Sequence, residues 1–236
     1  MRRRSGALAA AAYTLLAVVL TWPLARGLAG DIPADFGDPV LNCWILAWDA
    51  SHLLRALGGH PEALTEYWNA NIYYPHPLAL AYSEHLTPQA AMILPVYAAT
   101  GNAILSYNVL FLATFILSAL GMFLFVREMT GSGAAAFVGG LAFGFAPYRF
   151  GTLAHVQVLS SMWMPFALLG FHRFLESRRV APLVGASFAW IAQNLDLTFT
   201  VGDYPPDFNA TTIVAAIVGA VVLGLVNSLA HTVVKD

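Results

Sequence analysis

Six apolar runs recur along the chain, at residues 7–24, 103–126, 134–148, 153–175, 180–195 and 211–234. The second, fourth and sixth exceed the roughly 20 residues a helix needs to cross a 30 Å hydrocarbon core. The third is short, and Gly139, Gly140, Gly144 and Pro147 weaken it as a helix. Such a run is expected inside a bundle, where small residues let helices approach closely. A seventh stretch, 88–100, is apolar but too short to cross and is interrupted by Pro95. It reads as a re-entrant or interfacial helix. The pattern predicts an all-α, polytopic transmembrane helix bundle of about six spans.

One segment breaks this texture. Residues 31–88 hold Asp31, Asp35, Asp38, Asp49, Glu62, Glu66 and Glu84, seven of the thirteen carboxylates, against the single cation Arg55. The region between the first run and the 88–100 stretch, 26–88, is therefore a large polar loop, and a loop of this kind suggests a site built at the membrane surface. Within it, Asp38-Pro39 reads as a helix start, with Asp as N-cap and Pro at the first helical position. Residues 40–57 continue as a helix that Gly58-Gly59 ends. Asp38, Asn42, Asp49 and His52 fall on one stripe about 80° wide at 100° per residue. Trp44, Trp48, Leu41, Leu53 and Leu54 take much of the remaining surface, which suits a helix lying in the interface with its tryptophans at headgroup level. The prolines and asparagines of residues 67–77 predict an ordered loop of turns.

Composition agrees with a membrane chain. It is 58% hydrophobic and only 10% charged, with a mean hydropathy of +0.66, where soluble domains carry about 25% charged residues. The net charge of −2 favours neither nucleic acid nor an anionic surface as partner. The lone Cys43 rules out an internal disulfide. The basic N-terminus followed by an apolar run resembles a signal peptide, but no small-residue exit precedes Pro23, so an uncleaved first span is expected. With a cytoplasmic N-terminus and six spans, eight basic residues fall inside (Arg2, Arg3, Arg4, Arg127, Arg173, Arg178, Arg179, Lys235) and three outside (Arg26, Arg55, Arg149). That satisfies the positive-inside rule for a protein of the cytoplasmic (inner) membrane and makes the first loop extracytoplasmic.

The candidate chemistry collects at that outer face. Asp35 and Asp38 are carboxylates where a lipid-linked substrate would present its headgroup, able to act as general base or as ligands to a divalent metal. For Asp38 a plain helix cap is the competing reading. Glu84 and His85 close the loop and offer an acid/base pair, though neighbours in sequence do not face each other on a helix. Arg149, in Pro147-Tyr148-Arg149, is placed as a phosphate clamp or as a snorkelling cation. His155 and Gln157 complete that corner as further polar contacts or as helix–helix hydrogen bonds. The chain lacks a P-loop, a His-Glu-x-x-His helix, paired cysteines and a Gly-x-Ser-x-Gly elbow.

Taken in order, Gly37-Asp38-Pro39-Val40-Leu41-Asn42, Trp44-Ile45-Leu46-Ala47-Trp48, Asn71-Ile72-Tyr73-Tyr74-Pro75, Ala81-Tyr82-Ser83-Glu84-His85, Asn108, Gly121-Met122, Pro147-Tyr148-Arg149-Phe150, His155-Val156-Gln157 and Trp163-Met164-Pro165 resemble the bacterial GT-C-class integral-membrane glycosyltransferases. The resemblance covers about residues 7–180. It implies a polyprenyl-phosphate-linked sugar as donor, transfer to an acceptor on the extracytoplasmic side, and an acidic residue of the first outer loop as catalytic base. Asp38 is the position that inherits this role, with Glu84 as a second acid. Asp35, Asn42, His85, Arg149, His155 and Gln157 would bind substrate. No cofactor is required by the resemblance, and a divalent metal stays open.

Such enzymes are more than twice this length. Residues 181–236 form a two-span segment of plainer Val/Ala/Gly character, and 219–229 resemble the tail of a small phage-holin-like membrane protein. A truncated or fused glycosyltransferase is one expectation, and a non-catalytic membrane protein (a lipid-carrier-binding subunit or a degenerate remnant) is the other. A transporter would need an ionisable group at mid-membrane depth, whereas the charged residues here fall at the ends of the runs.

Overall fold

The computed structural model describes residues 2–83 and 86–197, with side chains from Ser5 to Ala192 outside that gap. Among these residues are ten α-helices and two short 3₁₀ turns, joined by loops, and none of them lies in a strand. The protein is all-α, as the pattern predicts. The run at 211–234 and the Glu84-His85 pair lie outside the described residues.

Helix α1 (Arg2–Leu20) leads through a 3₁₀ turn (Leu24–Arg26) into the polar loop. That loop carries α2 (Asp38–Leu57), the short α3 (Glu62–Glu66), a second 3₁₀ turn (Ala79–Tyr82) and α4 (Thr87–Thr100). Then come α5 (Ala103–Thr130), α6 (Gly133–Gly144), α7 (Pro147–Gly151), α8 (Val156–Leu159), α9 (Trp163–Ser177) and α10 (Val180–Leu197). Among the described residues only α5 is long and apolar enough to cross a membrane, while 5–20 and 180–192 form shorter apolar helices.

Helix α5 is the axis of the molecule. Asn102 caps its start by accepting from the Leu105 amide at 2.8 Å, and Gly131 ends it in the left-handed region at φ 70°. Helix α6 lies close along it because two glycines remove the side chains that would hold it off. A Cβ on Gly144 would come within 2.8 Å of three Ala119 atoms, and one on Gly140 would strike the Tyr13 hydroxyl and the Ala119 carbonyl. Tyr13 of α1 donates to the Phe137 carbonyl at 3.0 Å and stacks on the Phe137 ring, which ties α1 to the same pair. At one end of α5, Arg127 bonds Ser5, and Glu128 takes a two-pronged ion pair from Arg173 of α9 at 3.1 Å in each arm. At the other end, Asn102 and Asn108 donate to the carbonyls of Ala29, Leu28 and Asp31. The start of the polar loop is thereby fastened to the start of α5.

Two sequence expectations change. The run 153–175 is not one helix: α8 ends at Leu159, and a break at residues 160–162 precedes α9. The Ser160 hydroxyl there competes for a local carbonyl, Oγ donating to Val156 O at 2.8 Å. Pro165, which lacks an N–H, then occupies the first turn of α9, where that loss is harmless. Helix α2 also differs from an interfacial helix with a wet polar face. Asn42, Asp49 and His52 are its buried side, turned into the protein. Trp44 and Trp48 pack on each other at 5.8 Å, and Trp48 Nε1 donates to Tyr67 O at 2.8 Å.

Candidate functional site

The first loop and the 147–163 corner meet along α2. Asp38 stands at the first turn of that helix, but it is not a cap. Gly37 occupies the capping position, with no side-chain bond to the helix amides, and the Gly37 amide donates to Asp35 Oδ1 at 2.8 Å. The Asp38 side chain instead reaches across to His155, Oδ2 to Nδ1 at 2.9 Å. Each side chain is a little under half exposed, at 46% and 42%. One turn further along α2, Asn42 Nδ2 donates to Gln157 Oε1 at 3.2 Å. These two rungs join four of the sequence-predicted residues, and the steps of four on α2 and two in the 155–157 strap set their spacing.

The strap is itself well held. The His155 amide donates to Thr152 O, and the His155 carbonyl accepts from the amides of Val158 and Leu159. Val156 and Leu159 are fully buried in the main apolar core. Arg149 locks the strap from within, which departs from the expected phosphate clamp. Its side chain is fully buried. Nη2 donates to the carbonyls of Thr114 (3.1 Å) and Leu159 (2.8 Å), Nη1 donates to Ser161 Oγ (2.8 Å), and the guanidinium sits 5.0 Å over the Phe115 ring. Burial lowers its pKa, yet an arginine keeps its charge, and the carbonyl dipoles stabilise it. Arg149 is a keystone between α5 and the strap rather than a cation waiting at the surface.

Asp35 lies beside the pair, its carboxylate taken by the Gly37 amide. Tyr107 of α5 is fully buried, with a hydroxyl that has no hydrogen-bond partner. Asn42 Oδ1 is likewise buried without a partner. The Asn42–Gln157 rung thus keeps a free acceptor.

A second buried polar cluster lies further along α2. Asp49 is completely enclosed, and burial pushes its carboxyl up to about 7. The Tyr67 hydroxyl and the Leu86 amide draw it back somewhat, but neither oxygen of Asp49 has a formal hydrogen-bond partner. Around it, the His52 and Trp48 rings lie 4.2 Å apart, and Tyr67 Oη shares a 2.6 Å bond with Thr87 Oγ1. Position on the stripe was the signal for Asp49; its burial was not visible in the pattern.

Among the described residues no group of three or more His, Cys, Asp or Glu side chains is arranged to hold a metal ion. No family model, curated protein or solved structure matches this chain.

Proposed function

We propose that the protein is a membrane glycosyltransferase of the GT-C type, or the N-terminal part of one. It would move a sugar from a polyprenyl-phosphate donor to an acceptor hydroxyl on the extracytoplasmic side. In this reading it is a multi-pass protein of the inner membrane, of about six spans, with a cytoplasmic N-terminus. The Arg127 end of α5 faces the cytoplasm and the Asn102 end faces outward. The observation that carries the reading is the Asp38 carboxylate, left half open and paired to His155, at the end of the bundle where the polar loop is fastened. A basic pair at that level can remove the acceptor proton while the lipid phosphate leaves from the opposite face of the sugar, an inverting displacement. Asp35, Asn42 and Gln157 border it as contacts for sugar hydroxyls, and Glu84 and His85 remain the proposed second acid and its neighbour.

One observation favours a second reading. Arg149 is engaged by protein carbonyls, so it does not supply the positive charge that would hold a leaving phosphate. A non-catalytic lipid-carrier-binding subunit or remnant needs no such charge at the moment of transfer. Radiolabelled polyprenyl-phosphate sugars, presented to the purified full chain in nanodiscs, separate the two. Glycosyltransfer by the wild type, lost at least about 100-fold in Asp38→Asn, supports the enzyme. Carrier binding without transfer, unchanged in Asp38→Asn, supports the binding subunit.

A further inference from the structure

We infer that His155 Nε2 is the atom that takes the acceptor proton, and that Asp38 is the residue that positions and charges it. This rests on the sugar-transfer reading and refines it. A carboxylate only accepts hydrogen bonds, so the 2.9 Å contact requires the proton on His155 Nδ1. A neutral imidazole with Nδ1 protonated carries its lone pair on Nε2. The pairing therefore selects the tautomer whose basic atom is the one turned away from Asp38, the same logic by which a buried carboxylate prepares a histidine base in hydrolases.

The surroundings fix this geometry from several sides. The His155 backbone bonds Thr152, Val158 and Leu159. The Asn42–Gln157 rung holds the strap two residues on. Arg149 grips the Leu159 carbonyl from beneath. With the ring so held and 42% of the side chain open, a hydroxyl-bearing acceptor can approach Nε2 while the half-open carboxylate stays in place.

The step balances without any further reagent. The acceptor O–H bond breaks and its proton goes to Nε2. The acceptor oxygen forms a bond to the anomeric carbon. The bond from that carbon to the phosphate oxygen breaks, and its electron pair leaves with the lipid phosphate. The imidazolium that results faces the Asp38 carboxylate and returns its proton to water.

Nitrogen-15 NMR of the histidine-labelled full chain in nanodiscs, with the His155 signal assigned from His155→Gln, reads the tautomer directly. The expected result is an Nδ1-protonated ring in the wild type and loss of that preference in Asp38→Asn. An Nε2-protonated ring in the wild type overturns the proposal. In the transfer assay, His155→Ala should lose about 10²- to 10⁴-fold in kcat and recover part of it with added imidazole, while Asp38→Asn should not recover. His155→Ala turning over at the wild-type rate, with Asp38→Asn inert, would make Asp38 itself the base. A wild type that transfers nothing removes the base role together with the sugar-transfer reading, and the tautomer measurement then still reports whether the pair exists.

Discussion

At the scale of single residues, two buried charged groups have opposite surroundings and so opposite consequences. Arg149 is held by the carbonyls of Thr114 and Leu159 and by the Ser161 hydroxyl. Arg149→Met should cost roughly 3 kcal/mol, because it removes three hydrogen bonds made by a buried guanidinium. Thermal unfolding in detergent checks this. Asp49 has only the weak compensation of the Tyr67 hydroxyl and the Leu86 amide, and burial raises its pKa from the ordinary carboxylate value of 3.8 to about 7. The folded state then binds the extra proton between those values, so stability falls as pH rises from about 4 to 7 and levels off above. Asp49→Asn should therefore stabilise the protein at pH 8, by up to about 4 kcal/mol, and the gain should fade as the pH is lowered toward 4. A gain that is the same at both pH values would contradict the burial argument. The stripe of Asp38, Asn42, Asp49 and His52 was legible because helical periodicity fixes which residues share a face. Which way that face turns was not legible, since polar residues suit either water or a buried network, and only the partners on the 155–157 strap decide. Arg149 shows the same gap: the sequence locates its corner, but its rotamer depends on the Thr114 carbonyl, 35 residues away in α5, as well as on Leu159.

At the scale of elements, the molecule is organised by how closely α5 can be approached. The Gly140 and Gly144 face of α6 seats directly against Ala119. Gly144→Leu should destabilise by at least about 1–3 kcal/mol, the usual cost of overpacking, and should lower the midpoint of thermal unfolding. Gly151→Ala, where a Cβ meets nothing within 4 Å, is the matched control. The weak, glycine-rich third run was readable as a helix packed inside the bundle because glycine has that use in apolar helices. The break between α8 and α9 was not readable, because hydropathy is continuous across it. Ser160, Ser161 and Pro165 were the available signal, and the Ser160 hydroxyl bonding back to the Val156 carbonyl was the mechanism. The cap reading of Asp38 failed for a related reason. A carboxylate beside Pro39 suits a cap, but His155 offers it a charge-assisted partner that the local chain does not.

At the scale of the whole molecule, the ties sort into two ends of one axis. Arg127–Ser5 and Arg173–Glu128 mark one end, and the asparagine anchors of the first loop mark the other. That division agrees with the charge bias along the sequence, in which basic residues collect on the proposed inner side. It also puts Asp38, Asn42, His155 and Gln157, separated by more than 110 residues, at one place on the proposed outer side. Single cysteines introduced at Leu57 and at Gly133, each in a background with Cys43 replaced by Ala, should be labelled by a membrane-impermeant maleimide from opposite sides of the membrane. Labelling of both from the same side would overturn the orientation. The central claim is that the loop and the strap act as one site, and a double-mutant cycle tests it most directly. Initial rates of sugar transfer would be measured for the wild type, Asp38→Asn, His155→Gln and the double variant at equal folded protein. The account predicts strongly non-additive losses, with the double variant little worse than the more damaged single one. Losses that simply multiply would mean that Asp38 and His155 act independently, and the pairing on which the site is built would have no part in the chemistry.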